Sequence, residues 1–206
     1  TGQQNRYGMN ITVMTRSGRC YCRPDTTWER EDKDLFSPDS ISSYLYTPVL
    51  FARISKAGKC VGGKFAERYY DSVGYGILLY AGDLFDGSPM AYAAASCTDH
   101  TSVLPFPMYN KVTLLEDNLF VLKRNGEEIY RTSCGRSGMI EESICRASAL
   151  TSLRIGDMIA TELEDPAPLV SKDIPAHLAK AGEATWKAEI EGTFCGNSLF
   201  CFNIIF

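Results

Sequence analysis

Residues 73 to 81 read Val-Gly-Tyr-Gly-Ile-Leu-Leu-Tyr-Ala, without a single charge. A run this apolar cannot leave one face in water. It reads as a strand buried on both sides, which demands packed layers above and below it. Residues 44 to 55 supply a second long strand, and residues 10 to 14 and 19 to 23 two short ones joined by a tight Ser17-Gly18 turn. Between the long strands, residues 63 to 70 have room for a short helix, with bends at Gly58 and Gly62-Gly63.

Further along, Asn125-Gly126 separates two β-prone stretches, 119–122 and 128–132. Both residues tolerate positive φ, so the pair specifies a hairpin. Ser137 opens the one main helix, where Ile140, Ile144, Ala147 and Thr151 recur at helical spacing and Glu141 and Glu142 suit the positive N-terminal end. Leu153-Arg-Ile-Gly-Asp157 then turns into a strand at 158–161. Residues 163 to 184, with Pro166, Pro168 and Pro175, read as a loop excursion, and strands at 186–191 and 199–206 close the chain. The expected fold class is α+β and β-rich, a single domain over residues 9–206 behind a disordered polar lead-in at 1–8.

Composition narrows the function. The net charge of −4 over 206 residues, with Lys and Arg scattered, argues against nucleic acid and against an anionic membrane surface. No apolar run approaches the ~20 residues of a membrane span, and the first residues lack the layout of a secretion signal. The expected compartment is therefore the cytoplasm. Eight cysteines without a C-x-x-C pair read as reduced thiols, several of them packed as small hydrophobes, as in Phe194-Cys195 and Phe200-Cys201-Phe202, rather than as disulfides or a zinc site.

A few residues invite a chemical reading. Ser96, Cys97, Asp99 and His100 could compose a nucleophile and base, but no third orienting group is visible, and His177 falls in the Pro-rich loop. Glu162 and Glu164, followed by Asp165, have the alternate spacing of a metal pair, against a default of solvated acids. Gly74-Tyr75-Gly76 is no dinucleotide fingerprint, because Leu79 stands where a third glycine belongs.

Several stretches together carry a family resemblance. Arg53-Ile-Ser-Lys-Ala-Gly-Lys59, Lys64-Phe-Ala-Glu-Arg-Tyr-Tyr-Asp71 and Gly74-Tyr-Gly-Ile77 resemble the bacterial branch of the fumarylacetoacetate hydrolase family. So does the later order of strand, Asn-Gly hairpin, helix and Leu153-Arg-Ile-Gly-Asp157, and the closing Glu189-Ile-Glu-Gly192. The resemblance implies a mixed β-roll or β-sandwich fold and a homodimer. It also implies Mg²⁺ or Mn²⁺ held by three carboxylates, which polarises 2-oxo or β-diketo acids for hydrolysis, isomerisation or decarboxylation.

Carried over position by position, the family's site is substituted. Its Glu-x-Glu pair falls on Thr47 and Val49, and its third acid on Leu78. Asp83 is kept from an Ala-Arg-Asp, Ser96 stands at the lysine of a strand 94–97, and Thr161 opens the stretch that replaces a Thr-Gly-Thr-Pro turn. The loop with the His–Glu dyad has no counterpart between residues 14 and 19. The resemblance thus implies a degenerate, non-catalytic family protein: no catalytic residue, no metal ligand, no cofactor. Its role would be structural, binding or regulatory, with a second copy or an active relative as partner. The alternative is an enzyme acting on 2-oxo or β-diketo acids through an altered, metal-independent site.

Overall fold

The computed structural model describes residues 8–86, 88–115, 117–172 and 187–206. The chain begins with β1 (Ile11–Met14), β2 (Cys20–Arg23), β3 (Trp28–Glu29), β4 (Leu35–Phe36) and the long β5 (Ser43–Ile54). A 3₁₀ turn at Gly63–Arg68 precedes β6 (Tyr70–Ala81), helix α1 (Pro89–Ala95), β7 (Ser102–Val103) and β8 (Tyr109–Asn110). The hairpin of β9 (Phe120–Arg124) and β10 (Glu127–Thr132) leads into helix α2 (Ser137–Leu150) and β11 (Met158–Glu162). Strands β12 (Ala167–Ser171), β13 (Lys187–Phe194) and β14 (Asn197–Ile205) complete the order.

These strands make two mixed sheets. The larger, of nine strands, runs β2-β1-β11-β5-β6-β7-β3, with β12 pairing β5 and β8 pairing β6. The smaller, of five, runs β10-β9-β13-β14-β4. Its centre is antiparallel, while β14 and β4 are parallel; β1 with β11 and β3 with β7 are parallel in the larger sheet.

The charge-free run at 73–81 is the heart of β6, paired along its length with β5 from Tyr44↔Ala81 to Ile54↔Tyr70. One face of this pair, carrying Leu50, Ala52, Tyr75, Ile77 and Leu79, joins the main core with the smaller sheet and with Ile140, Ile144 and Ala147 of α2. The opposite face carries Val49, Phe51, Leu78 and Tyr80, which pack with Ile11, Val13, Met158 and Ala160 into a separate cluster. Both faces are buried, so the run needs no polar alternation. Each fully buried Leu or Ile contributes about 1.5–3 kcal/mol of transfer free energy.

Local chemistry explains most element boundaries. Asn125 and Gly126 sit at φ +50° and +78°, the double positive turn that an Asn-Gly pair favours. Between β1 and β2, Gly18 at φ +77° closes a turn in which Gly18 donates to Thr15 and Thr15 to Arg19.

Three sequence expectations are corrected. The excursion at 163–184 contains β12, where Pro168 is accommodated because the register slips between Pro168 and Val170; residues 173–184, His177 among them, lie outside the described residues. The strand expected at 94–97 is instead the end of α1, which forms because the Ser88 side chain caps Ala91 and Pro89 fits the first helical turn. The short α1 comes in addition to α2, the expected main helix. The cysteines are all free, but six of the eight are exposed rather than packed. Strand alternation turns Cys201 outward between buried Phe200 and Phe202. The lead-in expected at 1–8 falls, but for Gly8, outside the described residues.

Candidate functional site

The outer face of the larger sheet gathers the positions implied for the metal. Thr47 and Leu78 are direct cross-strand partners on β5 and β6, and Val49 lies two residues from Thr47 on the same face. All three are fully buried. The Thr47 hydroxyl donates to the Glu164 carbonyl at 2.5 Å, so its proton is committed to main chain. Val49 and Leu78 present only aliphatic carbon to their surroundings.

One carboxylate does reach this face, from a different strand. Glu162 is the residue opposite Val49 across the β5–β11 ladder, and it is 3% exposed. Its Oε1 accepts from the Tyr80 hydroxyl at 2.6 Å and from Tyr92 at 3.4 Å. Tyr80 is bonded in turn to the Tyr21 hydroxyl at 2.6 Å. The rings of Tyr21, Tyr80, Phe85 and Tyr92 meet edge-on or tilted at 4.9–5.7 Å, arrangements that complement ring quadrupoles.

Buried charge in this cluster is nearly balanced. Arg23, also buried, stands 4.7 Å from the centre of the Tyr80 ring. Its Nη2 donates to the Leu79 carbonyl at 2.6 Å, and its Nη1 to the Thr101 carbonyl and the Ser102 hydroxyl, each at 3.0 Å. Arg23 Nε and Glu162 Oε2 make no hydrogen bond of ordinary geometry among the described residues. Burial pushes the Glu162 pKa up, opposed chiefly by the Tyr80 hydrogen bond and also by the Arg16 main-chain amide, Tyr92 and Arg23. Tyr80 is held well above the ordinary phenol range, first by its burial.

A hard divalent cation does not fit this donor set. Mg²⁺ and Mn²⁺ need several oxygen ligands around one point. Here one carboxylate is present, one of its oxygens serves two tyrosines, and the side chains packed around it are aliphatic and aromatic. Among the described residues no group of three His, Cys, Asp or Glu side chains is placed to hold a metal ion.

The other expected site residues lie elsewhere. Thr161 faces the opposite side of the sheet, under α2, where its hydroxyl meets that of Ser143 at 2.8 Å; the one-residue step from Glu162 reverses its direction. Asp83 ties down the start of β5, accepting the Ser42 and Ser43 amides at 2.8 and 3.1 Å and the Ser42 hydroxyl at 2.6 Å. Those bonds, led by the Ser42 hydroxyl, lower its pKa. Ser96 is buried and donates to carbonyls in the last turn of α1, as Cys97 does, so neither addresses His100. Glu164 pairs with Arg16 at 3.0 Å on the surface, apart in role from Glu162.

Sequence reasoning missed Arg23, Tyr21, Tyr80 and Tyr92, which lie in separate stretches of chain with no shared spacing. It also missed Glu29, whose Oε2 is 2.9 Å from His100 Nδ1 and supplies the orienting group that Asp99-His100 lacked. The two residues are far apart in the chain, and no local signal links them.

Comparison with known proteins identifies the fold. No family model and no curated protein sequence matches the chain. Solved structures do. A fumarylacetoacetate hydrolase family protein from Yersinia pestis superposes with a TM-score of 0.74 at 15% identity, over 96% of this chain and 92% of that one. Fumarylpyruvate hydrolase from Pseudomonas aeruginosa, in complex with Mn²⁺ and pyruvate, gives 0.73 at 16% identity, over 99% and 92%. The 5-carboxymethyl-2-hydroxymuconate delta-isomerase from Mycobacterium smegmatis gives 0.73 at 15%, over 95% and 78%. The chain has the α+β fold of fumarylacetoacetate hydrolase family hydrolases and isomerases. Among the described residues no helix is long and apolar enough to cross a membrane.

Proposed function

We propose that this chain is a degenerate member of the fumarylacetoacetate hydrolase family whose outer-face pocket has exchanged metal chemistry for a packed tyrosine–glutamate cluster. Its role there is structural, binding or regulatory. The observation that carries this reading is the joint burial of Thr47, Val49 and Leu78, none of them an acid, beside Tyr80 and Glu162. Three acids replaced together leave no set of mutually repelling buried carboxylates, so the face is stable without a cation. The full burial of Thr47, Val49 and Leu78 argues against a 2-oxo acid bound at those three positions.

As a binding protein it pairs with a second copy or with an active relative. Met90, Leu115 and Leu150 are exposed apolar side chains available to such contacts. The deciding experiment is calorimetric titration with Mg²⁺ and Mn²⁺, together with assays on acylpyruvates and oxaloacetate. No saturable binding at micromolar metal and no turnover above a protein-free control are expected. One tight cation site per chain, or turnover abolished by EDTA, would overturn the reading.

A further inference from the structure

We propose that Glu29 and His100 form a proton-transfer pair that hydrolyses small uncharged esters in the cleft beside β4. This cleft shares no lining residue with the tyrosine–glutamate cluster, so the inference and the reading of the outer face can fail separately.

The geometry begins with the carboxylate. Glu29, at the end of β3, is 5% exposed, and its Oε1 accepts the Arg30 and Glu31 amides at 3.0 and 2.9 Å. Those bonds fix the group, leaving Oε2 against His100 Nδ1 at 2.9 Å. An ionised carboxylate can only accept, so Nδ1 carries the hydrogen and the Nε2 lone pair is left unprotonated in the neutral ring. His100 sits at φ +59°, and its side chain is 55% exposed, so the ring is oriented by a buried partner yet reachable from solvent.

The cleft that His100 lines, of about 360 Å³, gives the substrate class. Leu35, Phe36 and Pro38 form an apolar wall. Lys33 contributes one ammonium against two carboxylates, Asp34 and Asp99, and hydrogen bonds from Asn203 keep Asp34 ionised. Lys33 is itself paired with Glu31 at 3.1 Å, so the lining is net negative; it repels 2-oxo acids and admits neutral molecules. In the step proposed, Nε2 takes a proton from water as the water oxygen bonds to the ester carbonyl carbon. The tetrahedral intermediate then breaks its acyl C–O bond, and the imidazolium returns the proton to the departing alkoxide, giving an acid and an alcohol.

His100 is the catalytic residue of this scheme and Glu29 the positioning residue. The test uses the full chain with p-nitrophenyl acetate. Saturable hydrolysis is expected, slower in D₂O because a proton moves in the limiting step, and unchanged in Cys97→Ser, which removes the exposed thiol three residues before His100 in the chain. His100→Asn is the decisive variant, since Asn tolerates the left-handed backbone and still offers Glu29 a donor but cannot act as base. It should keep the wild-type melting temperature and lose on the order of a hundredfold in kcat. Glu29→Gln should lower kcat with KM little changed. Hydrolysis that does not saturate, that shows no isotope effect, or that survives in His100→Asn would overturn the proposal. Should His100→Asn melt early, His100→Gly, free of strain at this φ, takes its place, and activity retained there overturns the proposal equally.

Discussion

The Tyr80 hydroxyl donates to Glu162 Oε1 at 2.6 Å across two strands that are not neighbours in the sheet, since β5 lies between β6 and β11. Both side chains rise from the same outer face, Tyr80 opposite Leu45 and Glu162 opposite Val49, with Thr47 between those two positions on β5. It gives the buried carboxylate its shortest donor. Tyr80→Phe keeps the ring and its packing but leaves Glu162 only the longer Tyr92 bond and the Arg16 amide, and also removes the Tyr21 hydroxyl's partner. A loss of about 1–3 kcal/mol is expected in urea unfolding at pH 7. A change within error would mean that another donor or solvent already serves the carboxylate.

The charge on Glu162 sets a second expectation, with a definite sign. Its folded-state pKa is raised above the ordinary 4.5, first by burial, so the native state holds that proton more tightly than the unfolded chain does. The associated stability is fully present below 4.5 and is lost as pH rises through the folded pKa. Glu162→Gln cannot titrate. The wild-type advantage over this variant should therefore grow as pH falls from 7 toward 4.5, read from denaturant midpoints at fixed salt. An advantage that shrinks over the same range would reverse the assignment.

The outer-face positions can be tested by restoring an acid. Leu78→Asp places a carboxylate opposite Thr47 in a fully buried position, near an Arg23 guanidinium already committed to the Leu79 and Thr101 carbonyls and the Ser102 hydroxyl. An uncompensated buried charge costs about 3–5 kcal/mol. The variant should melt far below wild type, and millimolar Mn²⁺ should not recover it, because Tyr80, Tyr92 and Phe85 occupy the space that other ligands would need. Recovery by Mn²⁺ in thermal melts would show that a metal site is latent in the face.

The fold was readable because its strongest signals are local. The charge-free run at residues 73 to 81 fixes a doubly covered strand by itself, Asn125-Gly126 fixes a hairpin by its backbone preference, and Ile140, Ile144 and Ala147 fix one face of α2. The strand β12 was hidden by Pro168, which argues against a strand until the slipped register beside it is known. Helix α1 was hidden because residues 94 to 97 were aligned to a family strand, although Ser88 and Pro89 carry an ordinary helix-start signal. The substituted positions Thr47, Val49 and Leu78 could be named from sequence, but what replaced them could not. Tyr21, Tyr80, Tyr92, Arg23 and Glu162 meet only through sheet order and α1 docking, and Glu29 meets His100 only because β3 pairs β7.

Asp83 separates a retained catalytic acid from a structural one. Its carboxylate is mostly exposed and commits both oxygens to Ser42 and Ser43 at the start of β5. That arrangement resembles a helix cap in its energetics, so Asp83→Ala should cost about 1 kcal/mol in chemical denaturation. The sign of its pH dependence is opposite to that of Glu162. Its folded pKa is lowered below 3.8 by the Ser42 hydroxyl and the two amides, so its contribution is present above 3.8 and disappears as pH falls through the folded pKa. Wild type and Asp83→Ala should converge in stability as pH falls below 3.8, with solvent screening keeping the effect small. If the variant is as stable as wild type at pH 7, the tie to β5 carries no weight, and Asp83 returns to being a candidate for ligand contact.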